Sequence, residues 1–146
     1  MNVREPDDLN IHQSLVAELV DLFLHEGFLV SGAEGVEGYA SPPELPNDGY
    51  GDQEDKAPDV YAYDQHRKVY IIGEAKTGAG DFETEHALTQ YNVFLDQITR
   101  TSGKPFYCYM IVPSSRVAEF QGLLTHYIHR DFWHRLIFVS SSKQTA

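Results

Sequence analysis

Cysteine is almost missing from this chain. Cys108 stands alone in an apolar run, so no disulfide forms within the chain and no cluster of thiolates can gather a metal. A single thiol in such a setting acts as a small apolar core group and suits a reducing compartment, which points to the cytoplasm. No run of 18 apolar residues occurs, and Met1-Asn2-Val3-Arg4-Glu5-Pro6-Asp7-Asp8 is no apolar signal segment, so neither a membrane span nor export is expected. The patterns G-x-S-x-G and H-E-x-x-H are absent as well, and Thr77-Gly78-Ala79-Gly80-Asp81 lacks the Gly-Lys-Ser/Thr ending of a P-loop. Several common hydrolase and nucleotide-binding chemistries are thereby excluded.

Basic residues are scarce. Lys and Arg number 11 against 22 Asp and Glu, a formal net charge of -11 over 146 residues. Eight of the acids lie between Ser31 and Asp59, with Lys56 the one base among them. A chain charged in this way is a poor tight binder of duplex nucleic acid by charge alone. The length fits a single domain, 1–146, large enough to bury a core.

The apolar pattern changes period along the chain. Leu15, Val16, Leu19, Val20, Leu22 and Phe23 recur at helical spacing, predicting a helix over about 11–26 that ends at Gly27, with Asn10 or an adjacent Asp as its cap. His12 projects from the same face one turn before the core begins, and Glu18 lies at its edge. Phe28-Leu29-Val30 opens a strand that is expected to resume near Val36–Ala40. From Ser41 to Lys56 runs a loop with three prolines and several acids, read either as an exposed flap or as a cover over a functional edge. Within it, Asp48-x-Tyr50-x-Asp52 fails as a calcium loop because Tyr50 offers no suitable oxygen and Gln53 stands where a glycine is required. Ala87, Leu88, Tyr91, Phe94, Leu95 and Ile98 predict a second helix over about 83–100, Lys104–Val112 a strand covered on both faces, 116–130 a third helix capped by Pro113-Ser114-Ser115, and Arg135–Ser140 a last strand.

The most informative stretch is Ala57-Pro58-Asp59-Val60-Tyr61-Ala62-Tyr63-Asp64, a polar turn, then Lys68-Val69-Tyr70-Ile71-Ile72-Gly73-Glu74-Ala75-Lys76. Val, Ile and Tyr suit a pleated, half-buried surface, so the pattern predicts an antiparallel hairpin. With Gln65 and His66 at the turn centre, Tyr61 lies opposite Tyr70 and Asp59 diagonal to Glu74. Side chains alternate along a strand, so Asp59, Glu74 and Lys76 share a face while Gly73 and Ala75 share the other. Two carboxylates so placed repel each other, and Mg²⁺, which accepts one or two carboxylates and keeps waters, is a natural compensator.

Pro58-Asp59, a spacer of fourteen residues, and Glu74-Ala75-Lys76 resemble the PD-(D/E)XK signature of restriction-endonuclease-like nucleases and Holliday-junction resolvases. The resemblance covers about residues 10–113. It implies an α/β fold with a restriction-endonuclease-like αβββαβ core, a mixed central sheet flanked by helices, here extended by a C-terminal helix and strand over 114–140. It also implies that Asp59, Glu74 and the backbone carbonyl of Ala75 hold Mg²⁺ or Mn²⁺, that Lys76 orients or deprotonates the attacking water, and that the substrate is nucleic acid, most naturally DNA. In the resembled family the first helix commonly offers an acid to the metal, for which Glu18 is the nearest candidate, although its spacing departs from the usual one. Gln90-x-x-x-Phe94 resembles the Gln-x-x-x-Tyr variant of several nuclease branches, with Phe94 in place of Tyr, and so assigns Gln90 to the site. Symmetric cutting of two strands would call for a homodimer or a partner subunit. Against this stands a non-catalytic binding module on the same fold, or an acidic interaction protein that mimics DNA, suggested by the charge.

Overall fold

The computed structural model describes residues 6–45, 47, 49, 51–82, 84–95 and 106–145. The chain begins with α1 (Pro6–His25) and β1 (Leu29–Ala33), followed by the hairpin strands β2 (Val60–Asp64) and β3 (Val69–Ala75). It continues through α2 (Glu85–Leu95), β4 (Phe106–Val112), α3 (Val117–Tyr127) and β5 (Leu136–Ser140). The strands form one sheet in the order β1-β2-β3-β4-β5, antiparallel across the first three and parallel from β3 to β5. This is the expected α/β arrangement, a mixed sheet flanked by helices with an added helix and strand at the C-terminal end. Among the described residues, no helix is long and apolar enough to cross a membrane.

Each face of the sheet has its own core. On one, Leu15, Leu19 and Phe23 of α1 pack against Val60, Ala62 and Ile71. On the other, Tyr91 and Phe94 of α2 and Phe120 and Leu124 of α3 cover Ile72, Cys108 and Met110. β3 and β4 are therefore buried on both sides, which is why they read as nearly continuous apolar runs. Gly73 belongs to the α1 face, where an added Cβ would come within 2.5 Å of Leu19 Cδ2 and 3.1 Å of Phe23 Cζ. Its missing side chain lets α1 settle directly on the β2–β3 hairpin.

Several boundaries differ from those expected. α1 starts at Pro6, not near Ile11, and proline's fixed φ suits a first helical position. The stretch from Glu34 to Ala40 folds into turns closed by Ala33 N donating to Ala40 O at 2.9 Å, so β1 does not resume at Val36. A short 3-10 helix at Ser114–Arg116 precedes α3, with no side chain capping it, and a second one over Arg130–Arg135 leads into β5. The expected positions 83, 96–100, 104 and 105 lie outside the described residues.

The hairpin register is shifted by two. Tyr61 pairs with Ile72 and Tyr63 with Tyr70, and the connection is Gln65-His66-Arg67-Lys68. Asp64 builds this longer loop: its carboxylate accepts from His66 N at 2.9 Å and Arg67 Nε at 2.6 Å, while Lys68, at φ +58°, donates its backbone N–H to Asp64 O at 2.8 Å. A slip of two residues keeps every side chain on its face. The same offset carried one residue further sets Asp59 directly opposite Glu74, not diagonal to it.

Candidate active site

Asp59 stands one residue before β2, Glu74 and Ala75 end β3, and Lys76 follows, so the site forms at the carboxyl ends of the parallel strands β3 and β4. That edge of an open α/β sheet is where ligands commonly bind. The two strands are cross-tied there: Asp59 N donates to Glu74 Oε1 at 3.0 Å and Ala75 N donates to Asp59 Oδ2 at 2.9 Å. Lys76 N donates to Ile111 O at 3.0 Å, continuing the pairing with β4 past the end of β3.

The helices on the two faces each deliver one side chain. From α2, Gln90 Oε1 accepts a 2.7 Å hydrogen bond from Lys76 Nζ, which also lies 3.4 Å from Glu74 Oε2 and 5.8 Å above the centre of the Tyr91 ring. From α1, His12 Nε2 sits 3.2 Å from Asp59 Oδ2. Glu74, Lys76 and Gln90 are buried, whereas His12 and Asp59 keep 15% of their side-chain surface in contact with solvent. The site thus has an enclosed half on the α2 side and a more open half on the α1 side.

Electrostatics separate the two carboxyls. Burial, joined by the charge of Asp59, drives Glu74 well above the ordinary carboxylate range, and nearby Lys76 only partly opposes it. Burial also acts to raise Asp59, but the contact with His12, the Ala75 N–H and the Lys76 charge outweigh it and hold Asp59 below its usual value. Glu74 therefore carries charge at a cost that a further cation would relieve.

The donors at this edge of the sheet are oxygens. Asp59 and Glu74 supply carboxylate oxygens, and the Ala75 N–H faces Asp59; a strand residue's N–H and C=O point to the same side, so the Ala75 carbonyl faces it too. Among the described residues, no three His, Cys, Asp or Glu side chains converge as a metal-holding group. Two carboxylates and a carbonyl suit Mg²⁺, which takes few protein ligands and retains waters.

Glu18 does not reach this cluster. It faces the segment after β5, accepting from Ser141 Oγ at 2.7 Å and Ser142 N at 2.8 Å. The side chain from α1 that the structure brings to Asp59 is His12. The 41–56 loop is tied by the Leu45–Lys56 bridge, and Asp52 N donates to Thr89 Oγ1 at 3.3 Å, which lays the loop against α2 beside Gln90. Asp81 closes the turn after Lys76 by accepting from Thr77 N at 2.7 Å and Gly78 N at 2.8 Å.

No family model and no curated protein matches the chain. Among solved structures it is similar to a repair endonuclease from Pyrococcus abyssi, at 14% sequence identity and a TM-score of 0.45. The overlap covers 97% of this chain and 49% of that one, so the chain spans about half the length of that protein. The functional reading therefore rests on the residues of the site.

Proposed function

We propose that this chain is a Mg²⁺- or Mn²⁺-dependent nuclease that hydrolyses phosphodiester bonds in DNA. The observation that carries this reading is the burial of Lys76 between Glu74 and Gln90, at the strand end where Asp59 and Glu74 meet. A lysine 3% exposed, held against an uncharged acceptor and a carboxylate, costs folding free energy that a structural role would not need.

In this reading Asp59, Glu74 and the Ala75 carbonyl hold the metal, which when bound lowers the pKa of water and offsets charge on the phosphoryl group. Lys76 points its ammonium at the site, where it orients the attacking water and stabilises the negative charge that grows on phosphate oxygens as the new P–O bond forms and the old one breaks. Gln90 fixes the direction of that ammonium. His12 holds Asp59 in the rotamer that faces Glu74. The test is cleavage of single-stranded, duplex and branched DNA with Mg²⁺ or Mn²⁺: the wild type cuts, while Asp59→Asn, Glu74→Gln and wild type in excess chelator do not. Equal cutting in chelator would refute the reading. The net charge of -11 favours a second one, an acidic interaction module; complete absence of cleavage and of divalent-ion binding at millimolar concentration would make it the better account.

A further inference from the structure

Leading into β5, three strands across the sheet from the β2 that Asp59 precedes, three exposed aromatic rings lie within seven residues of chain. Tyr127 at the end of α3 is 47% exposed, and Phe132 and Trp133 in the following 3-10 helix are 36% and 43% exposed. Two of these rings are held in place. Trp133 Nε1 donates to Ile128 O at 2.8 Å, and the Arg135 guanidinium lies 4.9 Å from the centre of the Phe132 ring. Rigid rings give contact area at little cost in conformational entropy.

The ten residues His126 to Arg135 relieve the acidity of the chain: Arg130 and three histidines are exposed beside one acid, Asp131, while Arg135 is buried. Arg130 and the histidines are exposed around the rings. This segment feeds into the start of β5, where Leu136 is level with Cys108 and Ile72, so it meets the sheet two strands across from β3 and on the amino-terminal side of Glu74 and Lys76.

We propose that this surface binds single-stranded nucleic acid, with bases stacking on Tyr127, Phe132 and Trp133 while Arg130 and the neighbouring histidines meet phosphates. In a chain of net charge -11 a polyanion is held best where the local acidity is relieved and where stacking adds affinity that salt does not screen. The inference rests on the nuclease reading in that it names the substrate class, DNA with a single-stranded segment.

Trp133 is the one tryptophan of the chain, so its fluorescence reports stacking directly. The experiment is a titration with oligothymidine of about 12 nucleotides, within the site sizes of such surfaces, in chelator at about 50 mM salt, where phosphate contacts are little screened. Saturable quenching is expected, weakened by about fivefold or more in Arg130→Glu and in Tyr127→Ala with unchanged circular dichroism, and retained in Asp59→Asn. Absence of quenching, or equal affinity in both surface variants, overturns the proposal. So does a fluorescence change that tracks protein concentration without DNA alongside a doubled mass in light scattering, which would mean that a second copy covers the patch. Quenching by a protein that never cuts with metal supports this surface and sinks the nuclease reading; cutting without quenching does the reverse.

Discussion

Lys76 and Gln90 meet through a 2.7 Å hydrogen bond from Nζ to Oε1 at a point where both side chains are buried. The bond joins the end of β3 to the first half of α2 and fixes the one direction in which the ammonium can act. Gln90→Ala removes a neutral acceptor from a buried cation, a loss of about 2 kcal/mol. For a chain of this length that lowers the melting temperature by roughly 4–8 °C. Cleavage should fall with it; an unchanged melting temperature would show that the contact is not maintained in solution.

Glu74 and Asp59 respond differently to neutralisation. Glu74 is held above its ordinary range by burial and by Asp59, so Glu74→Gln in chelator melts at or above wild type. Asp59 is held below its ordinary range because His12, the Ala75 N–H and Lys76 outweigh its burial, so Asp59→Asn loses stability. Thermal melts of both variants in chelator check this, and equal shifts would contradict it.

Gly73 is the contact point between α1 and the hairpin. In Gly73→Ala the new methyl meets Leu19 Cδ2 at 2.5 Å and Val60 Cβ at 3.1 Å, overpacking that costs about 1–3 kcal/mol. The helix must lift, carrying His12 away from Asp59. Urea denaturation gives the first effect, and the second appears as weakened cleavage in the folded variant. A variant as stable as wild type would mean that α1 shifts freely.

Glu18 anchors the segment after β5, and its contribution depends on pH. Burial acts to raise its carboxyl, but the Ser142 N–H, the Ser141 hydroxyl and their neighbours prevail and hold it below the ordinary 4.5. A depressed pKa in the folded state gives stability that is present above the unfolded value and is lost as pH falls through the folded one. Glu18→Gln should therefore be less stable than wild type at neutral pH, by about 1 kcal/mol, and the gap should shrink as pH falls below the ordinary 4.5 and through the lower folded-state pKa. Denaturation midpoints at neutral and at acid pH decide it; a gap that persists in acid would assign the effect to packing.

The fold was legible where side chains repeat. Helical spacing announced α1, α2 and α3, the Val, Ile and Tyr content announced the β2–β3 hairpin, and an unbroken apolar run announced β4. The shared face of Glu74 and Lys76 was legible too, because alternation survives a register slip of two. The register itself was not, since it depends on how the Asp64 carboxylate bonds to His66 and Arg67. Nor was the meeting of His12 with Asp59, 47 residues apart, because helical phase gives a side chain's direction and not what the sheet brings beneath it. Glu18 had the chemistry of a ligand and the wrong turn of the helix. Gly73 carried a signal that could have been used: a glycine inside an apolar strand marks a close approach.

The most direct test of the central claim is the cleavage rate of Lys76→Ala in saturating Mn²⁺, measured beside calorimetric titration of the same protein with the metal. Lys76 is no ligand in this account, so metal affinity should remain at the wild-type value while the rate falls by a factor of roughly 10² to 10⁴. A variant that binds metal normally and cuts DNA as fast as wild type would contradict the account.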